Sequence, residues 1–189
     1  MDDHIDQVLI NRERIARRVD ELAAQIGADY TAPGSEAPRE LTVLAVLTGS
    51  LIFLADLVRR MPMMLRLRLI MVSSYPGQST TTQGVRLIGE LPTDLRGQHV
   101  LVVDDILDSG NTIRFVREIL AERSPASVRT CMLLRKQRPS AMVEHADYVG
   151  FDIPDAFVVG YGLDYDGYYR NLPDVVTLKP QFIRTQEPA

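Results

Sequence analysis

Within residues 99–113, HVLVVDDILDSGNTI, two adjacent carboxylates, Asp104 and Asp105, are followed by Asp108 and then by Ser109, Gly110, Asn111 and Thr112. Small and hydroxyl-bearing residues at the start of a helix present backbone N–H groups that take a phosphate. Carboxylates just ahead of them accept hydrogen bonds from sugar hydroxyls. The chemistry this stretch supports is the binding of a phosphorylated sugar. It is not a Walker A loop, because no Lys follows the glycine, and it lacks the G-x-G-x-x-G of dinucleotide folds. Taken alone, the same residues also read as a plain strand-to-helix turn with acids placed for solubility.

The elements that must position these groups follow from periodicity. Residues 100–103 are a continuous apolar run with three β-branched members, the pattern of a strand buried on both faces. Ile113, Val116, Ile119 and Leu120 keep the spacing of a helix face. Residues 41–47 read as a long central strand and 51–61 as a helix ended by Pro62. Residues 8–10 suggest a short strand. Asn11 then caps a helix with Ile15, Val19, Leu22 and Ile26 as its stripe and Gly27 as its stop. Residues 64–73 alternate around Arg66 and Arg68, as in a strand with one face partly exposed. Residues 85–89 and 127–134 read as further strands. Between them, residues 74–84 (SYPGQSTTTQG) are polar and aperiodic, the mark of a functional or disordered loop.

Strands alternating with helices predict an α/β fold, a mostly parallel central sheet flanked by helices, as a single domain over residues 1–189. Ligands bind such sheets beyond the carboxyl ends of the strands. Thr48-Gly49-Ser50, Asp104-Asp105 and Lys136 all fall just past predicted strand ends and so converge on one edge.

Composition sets the outer bounds. Apolar residues at 46% and charged residues at 24% are ordinary for a globular chain, and 189 residues can bury a substantial core. A net charge of −4 gives no electrostatic reason to expect a nucleic acid or an anionic membrane as partner. The uncharged run at residues 41–55 falls short of the roughly 18–20 residues a membrane helix needs. The acidic, polar start MDDHIDQ is not a signal peptide, and a cytoplasmic location is expected. The one cysteine, Cys131, excludes an internal disulfide and lies in an apolar run, where it is expected to be buried and inert. His4, His99 and His145 show no zinc spacing.

Five segments occur in order: LTGSLIFLADL, VSSYPGQSTT, VLVVDDILDSGNT, LLRK and VGFDIPDAFVVGYGLDYDGYYRNLP. Together they resemble the hypoxanthine-guanine phosphoribosyltransferases, the 6-oxopurine branch of the type I phosphoribosyltransferases, from about residue 5 to 178. The resemblance implies that fold, with a small hood formed by terminal segments, and the joining of a 6-oxopurine to phosphoribosyl pyrophosphate with magnesium as cofactor. It implies that Asp104 and Asp105 order the ribose hydroxyls and the metal, and that Asp108 is the general base. Ser109, Gly110, Asn111 and Thr112 would cradle the 5′-phosphate. Thr48, Gly49 and Ser50 would present N–H groups to pyrophosphate, which Arg170 would grip. Ser74 and Tyr75 would belong to a mobile flap. Lys136 would reach the purine oxygen, Phe157 would stack on the ring, Val158 would offer backbone to its edge, and Asp164 would lie near a second metal position. Thr48 departs from the pattern, which commonly has Lys or Arg there. The family also implies a homodimer or homotetramer.

Two other readings are weighed against this one. A regulator that senses the activated sugar and binds nucleic acid needs a basic face or an added winged helix, and only about 40 residues precede the first long strand. A transferase for xanthine or a pyrimidine is nearer. The stretch from Lys136 to Arg170 argues against a pyrimidine but does not rank hypoxanthine, guanine and xanthine.

Overall fold

The computed structural model describes residues 1–30, 40–74 and 85–183. In chain order its elements are β1 (Ile5–Ile10), α1 (Arg12–Tyr30), β2 (Leu41–Leu47), α2 (Leu51–Val58), β3 (Leu65–Ser74), β4 (Val85–Ile88), β5 (His99–Leu107), α3 (Asn111–Ala121), β6 (Ser127–Lys136), α4 (Pro139–Val143), β7 (Tyr148–Ile153) and β8 (Val175–Leu178). Six strands form one sheet in the order β4-β3-β2-β5-β6-β7. Every pairing in it is parallel except β3 with β4. The expected α/β architecture is the observed one.

Strand alternation divides the core. Val43, Ala45, Leu101 and Val103 face α1 and α2, while Leu44, Val46, Val100 and Val102 face α3. All four apolar residues of β5 at 100–103 are fully buried, as a strand covered on both faces requires. Each such Val or Leu contributes roughly 1.5–3 kcal/mol by leaving water. Cys131 is buried in the same core, as expected.

Several boundaries differ from the expected ones, and those of α1, α2, β5 and β6 do so for local reasons. α1 starts as expected, with the Arg14 N–H donating to Asn11 Oδ1 at 2.9 Å, but it runs past Gly27 to Tyr30. A Cβ at Gly27 would lie 3.2 Å from Pro62 Cδ, so this glycine lets the helix pass close to the end of α2 rather than stopping it. α2 ends at Val58 instead of 61, because Arg60 and Met61 donate to Leu57 and Val58, three residues back, in a tightened last turn. β5 and β6 run further than their apolar cores, so Asp104 and Asp105 lie inside β5 and Lys136 is the last residue of β6, rather than following the strands.

α1 also protects the sheet edge. Arg18 donates from Nε to the Gly150 carbonyl at 2.9 Å and from Nη2 to that of Val149 at 2.8 Å, occupying acceptors that β7 would otherwise offer to another strand. β1 and β8 form a separate antiparallel ribbon from the two ends of the described chain, packed on Val159, Leu172, Tyr165 and Tyr169. This is the expected hood. It is fastened to the sheet layer by the Tyr161 hydroxyl, which donates to Asp56 Oδ2 of α2 at 2.7 Å. No helix among the described residues is long and apolar enough to cross a membrane.

Candidate active site

The carboxyl ends of β2, β5 and β6 open into a cavity of about 500 Å³. Thr48, Gly49, Asp104, Asp105, Asp108, Ser109, Gly110, Thr112, Asp164 and Arg170 line it, together with Arg138. A second cavity of about 190 Å³ lies beside it, walled by Lys136, Phe157, Val158 and Leu163. The two share Asp105, Ile106, Asp108 and Asp164. Sequence positions spread over more than a hundred residues are thereby gathered around one carboxylate-rich wall.

Asp104 is 7% exposed, and burial pushes its carboxyl well above the ordinary range, with the charge of Asp105 adding to the effect. Burial raises Asp105 as well, opposed by backbone hydrogen bonds and by the Arg170 guanidinium. The Asp105 N–H donates to Asp104 Oδ1 at 2.9 Å, and the Ile106 N–H to Asp105 Oδ1 at 2.8 Å. Two desolvated, adjacent carboxyls, whose hydrogen-bond donors here are backbone N–H groups and whose nearby cation is Arg170, form a place where a further cation or a set of hydroxyls is favoured.

The turn of residues 48–50 presses against this pair. A Cβ at Gly49 would sit 1.7 Å from Asp105 Oδ2, so only glycine lets the turn approach so closely. Its peptide from Leu47 to Thr48 is cis. Thr48 is exposed, whereas Ser50 is fully buried and its hydroxyl donates to the Val46 carbonyl at 2.5 Å. Ser50 thus holds the turn from beneath instead of facing the cavity. Gly110 precedes α3 at φ 82°, a left-handed conformation that brings the chain around from β5 into the helix. The Asn111 N–H points back to Ser109 Oγ at 3.4 Å. Tyr75 lies outside the described residues, and Ser74 is the last residue of β3.

Asp108 is held by two cations. Lys136 Nζ donates to its Oδ2 at 3.0 Å and Arg138 Nη1 to its Oδ1 at 2.7 Å. Asp155 Oδ1 lies 3.6 Å and 3.7 Å from the same two nitrogens. Asp164 is engaged too, accepting from Arg170 Nη2 at 2.8 Å and from the Gly167 N–H at 2.8 Å. Arg170 in turn donates to the Gly162 carbonyl at 2.6 Å, which fixes it over the acidic pair. Phe157 is 44% exposed, unusual for a large aromatic, and stands edge-on to Tyr165 at 5.5 Å between centroids. Its open face borders the smaller cavity, while Val158 is buried.

The phosphoribosyl transferase domain model matches residues 4–166. A hypoxanthine-guanine phosphoribosyltransferase of Mycobacterium avium is 44% identical over 180 residues, covering 94% of this chain and 87% of the relative. A Staphylococcus aureus hypoxanthine phosphoribosyltransferase structure superposes with a TM-score of 0.87 at 37% identity, covering 97% of this chain and 96% of that one. A Trypanosoma cruzi hypoxanthine phosphoribosyltransferase solved with the product IMP gives 0.85 at 38% identity, covering 95% and 93%. The chain belongs to the phosphoribosyl transferase domain family.

Within this phosphoribosyl transferase domain the sequence reading missed Arg138 and Asp155. Arg138 lies two residues after Lys136, just before Pro139, and belongs to no quoted motif. Asp155 stands inside one, FDIPDAF, two residues ahead of Phe157. Their only sequence signal is proximity to residues already singled out. Their convergence on Asp108 is a product of β6 and β7 lying side by side.

Proposed function

We propose that this chain transfers the phosphoribosyl group of 5-phosphoribosyl 1-pyrophosphate to hypoxanthine and/or guanine, giving IMP or GMP and pyrophosphate in purine salvage. The observation that carries the reading is the pair of adjoining cavities with Asp108 in their shared wall. The larger suits a sugar phosphate, having carboxylates for hydroxyls and a small-residue loop ahead of α3 for the 5′-phosphate. The smaller suits a planar base, with Phe157 for its face and Lys136 for a keto oxygen. The product IMP of the T. cruzi relative is the kind of molecule such a pair would hold.

In this reading Asp104 and Asp105 bind the ribose hydroxyls, and Thr48, Gly49 and Arg170 receive the pyrophosphate. Ser74 and Tyr75 contribute a flap. Asp108 accepts the proton that leaves the base as the new bond to C1′ forms and the bond to pyrophosphate breaks. The donor set also fits Mg²⁺. Among the described residues no three metal-ligating side chains cluster, but this ion commonly uses one or two carboxylates plus substrate phosphates. Asp104 and Asp105 would hold it, with Asp164 near a second position, and it would neutralise charge on the leaving pyrophosphate. The whole chain acts as one domain, in the cytoplasm, where the free Cys131 stays reduced. It assembles as a homodimer or homotetramer.

The test is nucleotide formation from phosphoribosyl pyrophosphate and each of hypoxanthine, guanine, xanthine, adenine and uracil, with Mg²⁺ and with excess chelator. Product from hypoxanthine or guanine that disappears with chelator is expected. A preference for xanthine or uracil, or full turnover without a divalent ion, would overturn the proposal.

A further inference from the structure

Arg138 is held in place by its backbone. Its N–H donates to the Lys136 carbonyl at 2.9 Å, and its carbonyl accepts from the Met142 N–H at 3.1 Å. The intervening Gln137 N–H reaches the Ile153 carbonyl at 2.8 Å, and Pro139 follows as the first residue of α4. The guanidinium is therefore carried on a short segment tied to both β7 and α4. It is partly exposed, with Asp108 and Asp155 as the carboxylates facing it and Lys136 as the neighbouring cation.

Asp108 divides its two oxygens between two cations, Oδ2 to Lys136 and Oδ1 to Arg138. These two cations differ in what they can do next. Lys136 has a flexible stem and three donors, and it borders the smaller cavity, where a keto oxygen competes for it. Arg138 has a rigid fork and fixed charge, and it borders the larger cavity.

We propose that Arg138 is a positioning residue for Asp108, holding its Oδ1 when an incoming base draws Lys136 away from Oδ2. The freed Oδ2 then faces the base and takes its proton. Without the guanidinium the carboxylate would lose its last side-chain partner at the step that needs it aimed. This inference rests on the proposed role of Asp108 and adds a residue that the family motifs do not include.

The experiment is a double-mutant cycle in the full chain. It uses Arg138→Met, Arg138→Lys, Asp108→Asn and the Arg138→Met/Asp108→Asn pair, measuring kcat and KM for phosphoribosyl pyrophosphate and hypoxanthine. Arg138→Met is expected to lower kcat by about tenfold to a hundredfold, the scale of a misplaced catalytic group, with KM for phosphoribosyl pyrophosphate nearly unchanged. Arg138→Lys should recover much of the loss. In the Asp108→Asn background Arg138→Met should cost nothing further, because the two act as a unit. A raised KM at unchanged kcat would make Arg138 a phosphate ligand and overturn the inference. Independent, multiplying losses in the double variant would overturn it as well, while leaving Asp108 as the base. An Asp108→Asn enzyme with undiminished kcat would instead remove the general-base reading and this inference with it. Melting curves on every variant separate these outcomes from a folding defect, and the Lys variant preserves the charge if Met proves unstable.

Discussion

Asp104 is the residue at which function and stability are most directly opposed. Its carboxyl is buried beside a second carboxyl, and its pKa is raised. A carboxyl whose folded pKa lies above its unfolded value binds more protons in the folded state across that window, so stability falls as pH rises through it. The cost grows as pH climbs from the ordinary carboxylate value toward the raised folded one. Asp104→Asn removes the charge, keeps the oxygen that accepts from the Asp105 N–H, and preserves the shape. The variant is expected to be more stable than wild type at pH 7 without ligands and to lose the difference at acidic pH, where wild type is protonated. It should also bind phosphoribosyl pyrophosphate more weakly. Denaturant midpoints against pH, paired with substrate titration, check both halves; a destabilised variant at pH 7 would contradict the argument.

Lys136 makes a second case at this scale, because its ammonium has donors only. In the proposed function it would favour the keto oxygen of hypoxanthine and oppose the amino group of adenine. Sites built on such a polar match can reject the wrong partner by roughly 10⁴–10⁵-fold. Lys136→Met should therefore lose 6-oxopurine efficiency and narrow the ratio of kcat/KM between hypoxanthine and adenine. An unchanged ratio would show that another group reads the base.

At the scale of elements, the sheet was legible because strands buried on both faces leave unbroken apolar runs: residues 41–47 were read to the residue. The acidic wall was legible for a related reason, since Asp104, Asp105 and Asp108 interrupt such a run with side chains that a core does not tolerate. What was not legible depends on neighbours distant in sequence. Gly27 looks like a stop until Pro62 is seen against it. Arg66 and Arg68 mark β3 as two-faced, but on its other face Leu67, Leu69 and Met71 are left exposed. The tie between hood and sheet layer was invisible for the same reason. Tyr161 and Asp56 are 105 positions apart. Burial alone would raise the Asp56 pKa, but the Tyr161 hydroxyl, Arg59 and Arg60 together outweigh it and leave the pKa lowered. Such a group contributes stability that is fully present above its ordinary value and is lost as pH falls through the lower folded value. Tyr161→Phe is therefore expected to cost about 1.5–3 kcal/mol at pH 7, as for a hydrogen bond to a charged group. The gap to wild type should shrink below about pH 4, near the ordinary Asp value. A cost that stays constant down to pH 2 would assign it to packing.

The whole molecule leaves an apolar row uncovered, and the proposed assembly gives that row a purpose. Leu67, Leu69 and Met71 are 42–48% exposed on alternate positions of β3, the face on which Leu65 packs into the α1–α2 core. Leu51, at the start of α2, is 49% exposed. Among the described residues β4 pairs with β3 only over Met71–Ser74, so the earlier half of the strand has β2 as its one neighbour. A contiguous apolar row on a partly open edge strand is a site for association with a complementary surface. In a homodimer a second copy offers the same row across a two-fold axis, and such isologous contacts close without further growth. Leu67→Glu with Leu69→Glu would bring four like charges into that contact, two from each copy. Sedimentation equilibrium should then find monomers where wild type is dimeric or larger, with the monomer still folded by circular dichroism. Retention of the wild-type mass in the double variant would move the contact to another face, and a wild type that is itself monomeric at micromolar concentration would remove the assembly altogether.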